Sequence, residues 1–290
     1  MKTFSGLYTA LVTPFDEKGE IDLDALKVLL DMQMAAGVQG LVVLGTTGES
    51  PTISFEERQT LFSFIKNYTK GKLELILGTG TNSTKHTIDL TKNAEDLGAD
   101  GVLVVNPYYN KPSQDGLYAH FEAVARATAL PVMLYNIMGR TGVNLETPVL
   151  IRLAKNNPNI VAIKEASGDI GQMMSVLAAT PDNFAILSGD DMLTYPLMIM
   201  GGCGIVSVLS NIEPAKMQKM VCYLQQGEYK LARDIHFELL GKMKGAFIGG
   251  NPAAIKTALA QKGLIKPYFR LPLVAPTPEQ QEMIKASFAN

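Results

Sequence analysis

Eight short apolar runs, each followed by a stretch of helical period, leave this chain few folds to adopt. The first four are Gly6 to Leu11, Gly40 to Leu44, Leu73 to Leu77 and Gly101 to Val105. The others are Val132 to Tyr135, Ile160 to Lys164, Phe184 to Ser188 and Gly204 to Val208. Near-continuous apolar character, in place of strict alternation, marks parallel strands covered by helices. Strand alternating with helix eight times, with no linker and no break in composition, predicts a (β/α)8 TIM barrel. An open doubly wound sheet is the second choice, and it does not need so many units.

The segments between the runs carry helix punctuation. Asp22 is placed to cap a helix bearing Leu26, Leu29, Leu30 and Met34, which Gly37 ends. Ser54 with Glu57 spells a capping box ahead of Leu61, Phe62 and Ile65. Thr147-Pro148 reads as a cap followed by an N1 proline, and Glu95 to Gly98 and Gln225 to Gly227 read as helix ends. Beyond the last run the chain is longer than one barrel helix requires. Helical period in Met217 to Leu224, Tyr229 to Lys242 and Ala253 to Gln261 predicts a C-terminal helical extension. The expected division is a catalytic barrel over residues 1–224 and a helical section over 225–290.

Bulk properties narrow the function. With 290 residues and 47% hydrophobic content the chain can bury a large core, and its net charge of −2 gives no reason to expect nucleic acid or an anionic membrane. Two cysteines, Cys203 and Cys222, can form neither a disulfide framework nor a zinc site, and they suit a reducing compartment. The stretch Leu7 to Val12 is too short for a signal peptide and is broken by Pro14, Asp16 and Glu17. No stretch reaches the roughly 20 apolar residues of a membrane span. A cytoplasmic protein is expected.

In parallel α/β folds chemistry sits at the carboxyl ends of the strands. Lys164 ends the sixth run, and an amine there with apolar neighbours loses hydration of its charged form, so its pKa falls. That makes it a candidate imine-forming nucleophile, although a lysine reaching solvent at a strand end is the plainer reading. Tyr135 ends the fifth run, and Arg140 follows in its loop, where a planar fork could take a carboxylate. A surface arginine with an acidic neighbour is the ordinary alternative.

The turn Gly45-Thr46-Thr47-Gly48-Glu49-Ser50 follows the second run and offers hydroxyls and backbone N–H groups to an anion. Such turns also arise for steric reasons alone. Asn106-Pro107-Tyr108-Tyr109 follows the fourth run, where paired tyrosines ordinarily serve packing or interfaces. Ser188-Gly189-Asp190-Asp191 follows the seventh. His86, His120 and His236 lack metal-ligand spacing. Val161 to Lys164 spells a kinase motif, but no glycine-rich loop, HRD or DFG accompanies it.

Gly45-Thr46-Thr47-Gly48-Glu49, Asn106-Pro107-Tyr108-Tyr109, Tyr135-Asn136 and Ile163-Lys164-Glu165-Ala166-Ser167 together resemble the signatures of the pyruvate-dependent class I aldolases. The resemblance runs from Gly6 through the eighth run and continues in Asn251-Pro252-Ala253-Ala254-Ile255-Lys256. Gly139-Arg140-Thr141-Gly142 points to the synthase branch of that family rather than the sialic acid lyases, and Met138 stands where most members carry proline.

The resemblance implies that Lys164 forms an imine with pyruvate and that the derived enamine adds to L-aspartate 4-semialdehyde. It implies Tyr135 as general acid and base, with Thr46 linking it to a Tyr109 that enters from a neighbouring subunit. Thr47 and the backbone at Gly189 and Val206 are implied to hold pyruvate, and Arg140 the semialdehyde carboxylate. A homo-oligomer, as a dimer of dimers, is expected, with no metal and no organic cofactor. A related aldolase acting on a sugar-derived 2-keto acid or N-acetylneuraminate, or a catalytically silent pyruvate-binding barrel, are the other readings.

Relatives inhibited by lysine bind it near the Gly45 to Ser50 turn and the helix after the third strand. Ser50, Asn82 and Tyr108 are kept here, but Phe55, Arg58 and His86 stand where such relatives tend to carry two histidines and a glutamate. Without that carboxylate for the lysine ammonium, weak or absent lysine inhibition is expected.

Overall fold

The computed structural model describes residues 4–289. Its strands are β1 (Gly6–Ala10), β2 (Gly40–Val43), β3 (Glu74–Gly78) and β4 (Gly101–Val105). The remaining strands are β5 (Val132–Asn136), β6 (Ile160–Glu165), β7 (Ala185–Ser188) and β8 (Gly204–Ser207). All eight expected strands form, with ends displaced by no more than one residue. They close into a barrel in sequence order, the expected TIM barrel, and the pairs whose register is described run parallel. Every residue of β1, β2, β5, β6, β7 and β8 is buried, as two-sided cover by helices requires.

Twelve α-helices accompany them among the described residues. Those between the strands are α1 (Leu23–Ala36), α2 (Phe55–Thr69), α3 (Thr84–Asp96), α4 (Gln114–Arg126), α5 (Met138–Thr141), α6 (Thr147–Asn156), α7 (Ile170–Ala179) and α8 (Thr194–Ile199). After β8 come α9 (Pro214–Gln225), α10 (Tyr229–Gly245), α11 (Ala253–Gln261) and α12 (Pro278–Ser287).

Most of the punctuation acts as expected. The Asp22 carboxylate accepts from Ala25 N at 3.0 Å to cap α1, and Gly37 ends it in the left-handed region at φ 68°. At α2, Ser54 Oγ accepts from Glu57 N at 3.1 Å while Glu57 Oε2 accepts from Ser54 N at 2.8 Å, completing the box. Two corrections are needed. Thr147 is the first residue of α6 and not its cap, which is Glu146 with no side-chain cap bond, so Pro148 falls one position later than expected. The helix α12 was not expected, although Thr277-Pro278 and Gln280 supply the capping box that starts it.

The chain divides into two compact units. One takes in the residues up to Gly6 and Leu75–Val206, and the other Leu7–Glu74 and Ser207–Asn290. In the first, β4 to β7 pack Val102, Val104, Leu134, Ile163 and Leu187 at almost no exposure. In the second, Thr9 Oγ1 donates to Gln33 Oε1 at 2.6 Å and Gln33 Nε2 donates to Ser210 O at 2.9 Å, so the buried Thr9 and Gln33 side chains pair with each other and with the backbone. Arg270 holds the segment after α11 by donating to Gly19 O at 2.8 Å and Thr52 O at 2.7 Å and pairing with Glu57. No helix among the described residues is long and apolar enough to cross a membrane.

The two capping sites give a stability test. Ser54→Ala should cost about 1 kcal/mol in denaturant unfolding, the usual loss for a side-chain cap, whereas Thr147→Ala should stay within about 0.5 kcal/mol. A loss of a full cap at Thr147 would restore the reading the structure corrects.

Candidate active site

The site is built on the register of β5 and β6, where Tyr135 pairs with Lys164 and Asn136 with Glu165. Successive strand residues face opposite sides, so Tyr135 and Lys164 share one face while Asn136 and Glu165 share the other. Lys164 is 5% exposed, and its Nζ lies 4.1 Å from the centroid of the Tyr135 ring. Burial pushes its pKa down to about 7; the buried Asp191 carboxylate opposes that shift and the Arg140 guanidinium adds to it. An unperturbed lysine amine is neutral in roughly a few parts in ten thousand at pH 7, so this shift raises the nucleophilic fraction roughly a thousandfold. An amine in this state can add to a carbonyl.

Gly189, just after β7, is what lets the lysine stem pass. A Cβ there would meet Lys164 Cε at 3.0 Å and Ala166 Cβ at 2.6 Å. Its N–H donates to Glu165 O at 2.7 Å, so the carbonyl is the backbone group it can still offer. Val206 is fully buried near the end of β8.

On the opposite face a network of amides surrounds the fully buried Glu165. Ser167 N donates to Glu165 Oε1 at 2.7 Å, and Asn136 Nδ2 reaches Glu165 Oε2 at 3.3 Å. Asn106 Nδ2 and Leu145 N both donate to Asn136 Oδ1, at 2.8 and 3.0 Å. Asn136 Nδ2 also donates to Asn144 Oδ1 at 2.9 Å, and Asn144 Nδ2 donates to Gln172 Oε1 at 2.7 Å. The loop carrying Arg140 is therefore tied down behind the strands. Arg140 itself is exposed on the short turn α5, which forms with Met138 at its start: Gly142 N donates to Met138 O at 2.9 Å.

In the other unit, Thr46–Gly48 makes a 3-10 turn after β2, with Thr47 buried and Thr46 half-buried. Glu49 follows in the left-handed region at φ 57°. Thr13 Oγ1 donates to Gly48 O at 2.8 Å, Asn251 Nδ2 to Thr47 Oγ1 at 2.9 Å, and Lys256 Nζ pairs with Glu49 Oε1 at 2.5 Å.

Of the expected residues, Lys164, Tyr135, Gly189, Arg140 and Val206 belong to the first unit, where the first three are in contact or in register. Tyr109 is in the same unit but stands 89% exposed at a loop tip with φ 75°. Thr46 and Thr47 belong to the second unit. Sequence reasoning missed Asp191 as the charge facing Lys164 and Glu165 as the centre of the amide network. It matched Asn251 and Lys256 without giving them a task.

Among the described residues no group of His, Cys, Asp and Glu could hold a metal ion. Burial pushes the pKa of His120 down to about 4, and its Nδ1 lies 2.9 Å from Thr84 Oγ1, a packing role. Cys203 Sγ accepts from Ile186 N at 3.2 Å, and burial raises its pKa, which fits a structural thiol.

The dihydrodipicolinate synthetase family model matches residues 3–289. The chain is 47% identical over 286 residues to the 4-hydroxy-tetrahydrodipicolinate synthase of Bacillus subtilis, covering 99% of each. It is 50% identical over 266 residues to that of Bacillus velezensis, covering 92% of each. The crystal structure of a dihydrodipicolinate synthase from Thermotoga maritima superposes with a TM-score of 0.97 at 42% identity, covering 99% of this chain and 98% of that one.

The electrostatics around Lys164 can be titrated directly. With lysines labelled at Cε, its NMR signal should titrate with a pKa near 7, set apart from the surface lysines. Asp191→Asn should lower that pKa further and Arg140→Ala should raise it, because each removes a charge whose field acts in the opposite sense. A Lys164 signal titrating with the bulk of the lysines would remove the basis for its nucleophilic role.

Proposed function

The chain belongs to the dihydrodipicolinate synthetase family, and from that premise we propose that it condenses pyruvate with L-aspartate 4-semialdehyde to give 4-hydroxy-tetrahydrodipicolinate. The observation that carries the mechanism is Lys164, an amine buried at a strand end with its pKa brought to about 7. Its Nζ adds to the keto carbon of pyruvate, and loss of water leaves an imine whose protonated nitrogen withdraws electrons. A methyl proton departs to give the enamine. The enamine carbon bonds to the aldehyde carbon, and the aldehyde oxygen takes up a proton. The amino group brought by the semialdehyde then attacks the imine carbon, closes the ring and frees Lys164.

Tyr135, against the lysine, is the group that gives and takes these protons. Thr47 and the backbone at Gly189 and Val206 hold pyruvate, the Gly189 carbonyl accepting from the hydroxyl of the lysine adduct before water is lost. Arg140, exposed and planar, takes the semialdehyde carboxylate. Thr46 passes protons between Tyr135 and Tyr109 of a second copy, which makes the working form a homo-oligomer, as a dimer of dimers in the cytoplasm. A largely exposed tyrosine held at positive φ costs conformational energy, and supplying a neighbouring site is a use that justifies it. No metal or organic cofactor enters the scheme.

Borohydride added with pyruvate should inactivate the protein and leave a reduced three-carbon adduct on Lys164, found by peptide mass spectrometry. Arg140→Ala should still be trapped, while its use of the semialdehyde falls roughly 10- to 150-fold, the worth of a charged hydrogen bond. An adduct on another lysine, or none, would sink the imine mechanism; equal losses in trapping and turnover would make Arg140 structural.

Regulation by lysine is expected to be weak. Arg58 is buried and donates to Ser50 Oγ at 3.1 Å, and burial lowers its pKa only to about 10, so it stays cationic at neutral pH. A cation there disfavours a ligand ammonium. A dose–response curve at saturating pyruvate should show no half-inhibition below millimolar L-lysine; submillimolar inhibition contradicts the assignment.

A further inference from the structure

Thr47 Oγ1 already accepts one hydrogen bond, from Asn251 Nδ2 at 2.9 Å, and both residues are buried, at 3% and 8% exposure. A threonine hydroxyl has a single proton and a free rotor. When a fixed amide N–H occupies its acceptor side, the proton turns away from the amide and is left to donate. We propose that Asn251 is a positioning residue that sets Thr47 as a hydrogen-bond donor to the carboxylate of pyruvate. The proposal rests on the reading of Thr47 as a pyruvate ligand.

Three features support it. The backbone around Thr47 is already fixed, by Thr13 Oγ1 on Gly48 O at 2.8 Å and by the Lys256–Glu49 pair at 2.5 Å with both side chains at 0% exposure. The hydroxyl rotor is therefore the freedom that remains to be set, and Asn251 contacts that atom. Second, Asn251 and Lys256 stand on either side of the start of α11, so the tie to Thr47 and the tie to Glu49 join the same two segments in parallel.

The third feature is the residue type. A carboxylate at 251 would accept the Thr47 proton and add a negative charge beside an anionic substrate. An amide presents N–H without charge.

The test measures the pyruvate concentration that half-saturates borohydride trapping of Lys164, with no aldehyde present. It compares the unaltered protein with Asn251→Ala, Asn251→Asp, Thr47→Val and the Thr47→Val/Asn251→Ala double variant. Asn251→Ala should raise the half-saturating concentration about tenfold, while the trapping rate at saturating pyruvate stays within about twofold. In the Thr47→Val background the same substitution should have almost no further effect, because the hydroxyl it orients is gone.

Asn251→Asp keeps the side-chain shape and should bind pyruvate more weakly than Asn251→Ala, which keeps the proposal readable even where the alanine variant folds poorly. Equal effects of Asn251→Ala in both backgrounds, no effect at all, or an Asn251→Asp variant that binds like the unaltered protein would overturn the proposal. If Thr47→Val itself leaves half-saturation unchanged, the reading of Thr47 as a pyruvate ligand fails first, and that result is distinct from the others.

Discussion

An amine carried out of water at the end of a buried strand is the constraint on which the chemistry proposed for this molecule depends. Removing an ammonium from water costs several kcal/mol in a real protein interior, and Lys164 meets that cost by giving up its proton near pH 7. The barrel makes the position possible. Every residue of β6 is buried, and its backbone is engaged with β5 on one side and β7 on the other, so the strand end cannot relax to let the lysine reach solvent. Gly189 clears the volume the stem occupies. Arg140 pushes the proton off, and Asp191 keeps the shift from going further.

Strand alternation explains why the support for this amine is found on its other side. Glu165, next along β6, faces away and is wholly buried, with amide donors from Ser167, Asn136 and Gln172 around it. Unpaired buried acceptors are costly, so these donors are held in place as firmly as the carboxylate is. Asn136 belongs to β5 and also accepts from Leu145, beyond the Arg140 turn. One network thus couples the strand bearing Lys164 to the loop bearing Arg140. Packing on the Glu165 face fixes geometry on the Lys164 face.

The barrel was readable in the sequence because two-sided burial writes each strand as an unbroken apolar run, and caps such as Asp22 and Ser54 mark the helices between. The α6 cap was misplaced because Thr147 and Pro148 suit the first turn as well as the cap. The helix α12 was missed because it buries so little, Ile284 alone, that no apolar period announces it. The placing of Lys164 and Tyr135 side by side was legible from their positions at strand ends. Asp191 and Glu165 were not, since a carboxylate after a strand reads as an ordinary polar residue until neighbouring strands are set in register. Asn251 and Lys256 act on Thr47 and Glu49 across about two hundred residues of sequence, and no local pattern encodes such a pairing.

The chain buries a second lysine more completely than the first, and the contrast shows what burial alone does not decide. Lys256 is at 0% exposure, and its Nζ lies 4.3 Å from the Phe15 ring centroid and 5.0 Å from that of Phe269. Burial lowers its pKa as it lowers that of Lys164, but a carboxylate in direct contact, Glu49 at 2.5 Å, opposes the shift. A buried charge with such a partner is a structural tie, and removing either member strands the other. Lys164 has an aromatic ring beside it and a carboxylate that acts on it through its field. What separates Lys164 from Lys256 is that its carboxylate acts through its field and not through a contact like that of Glu49, and the barrel sets Lys164 between a tyrosine and a glycine.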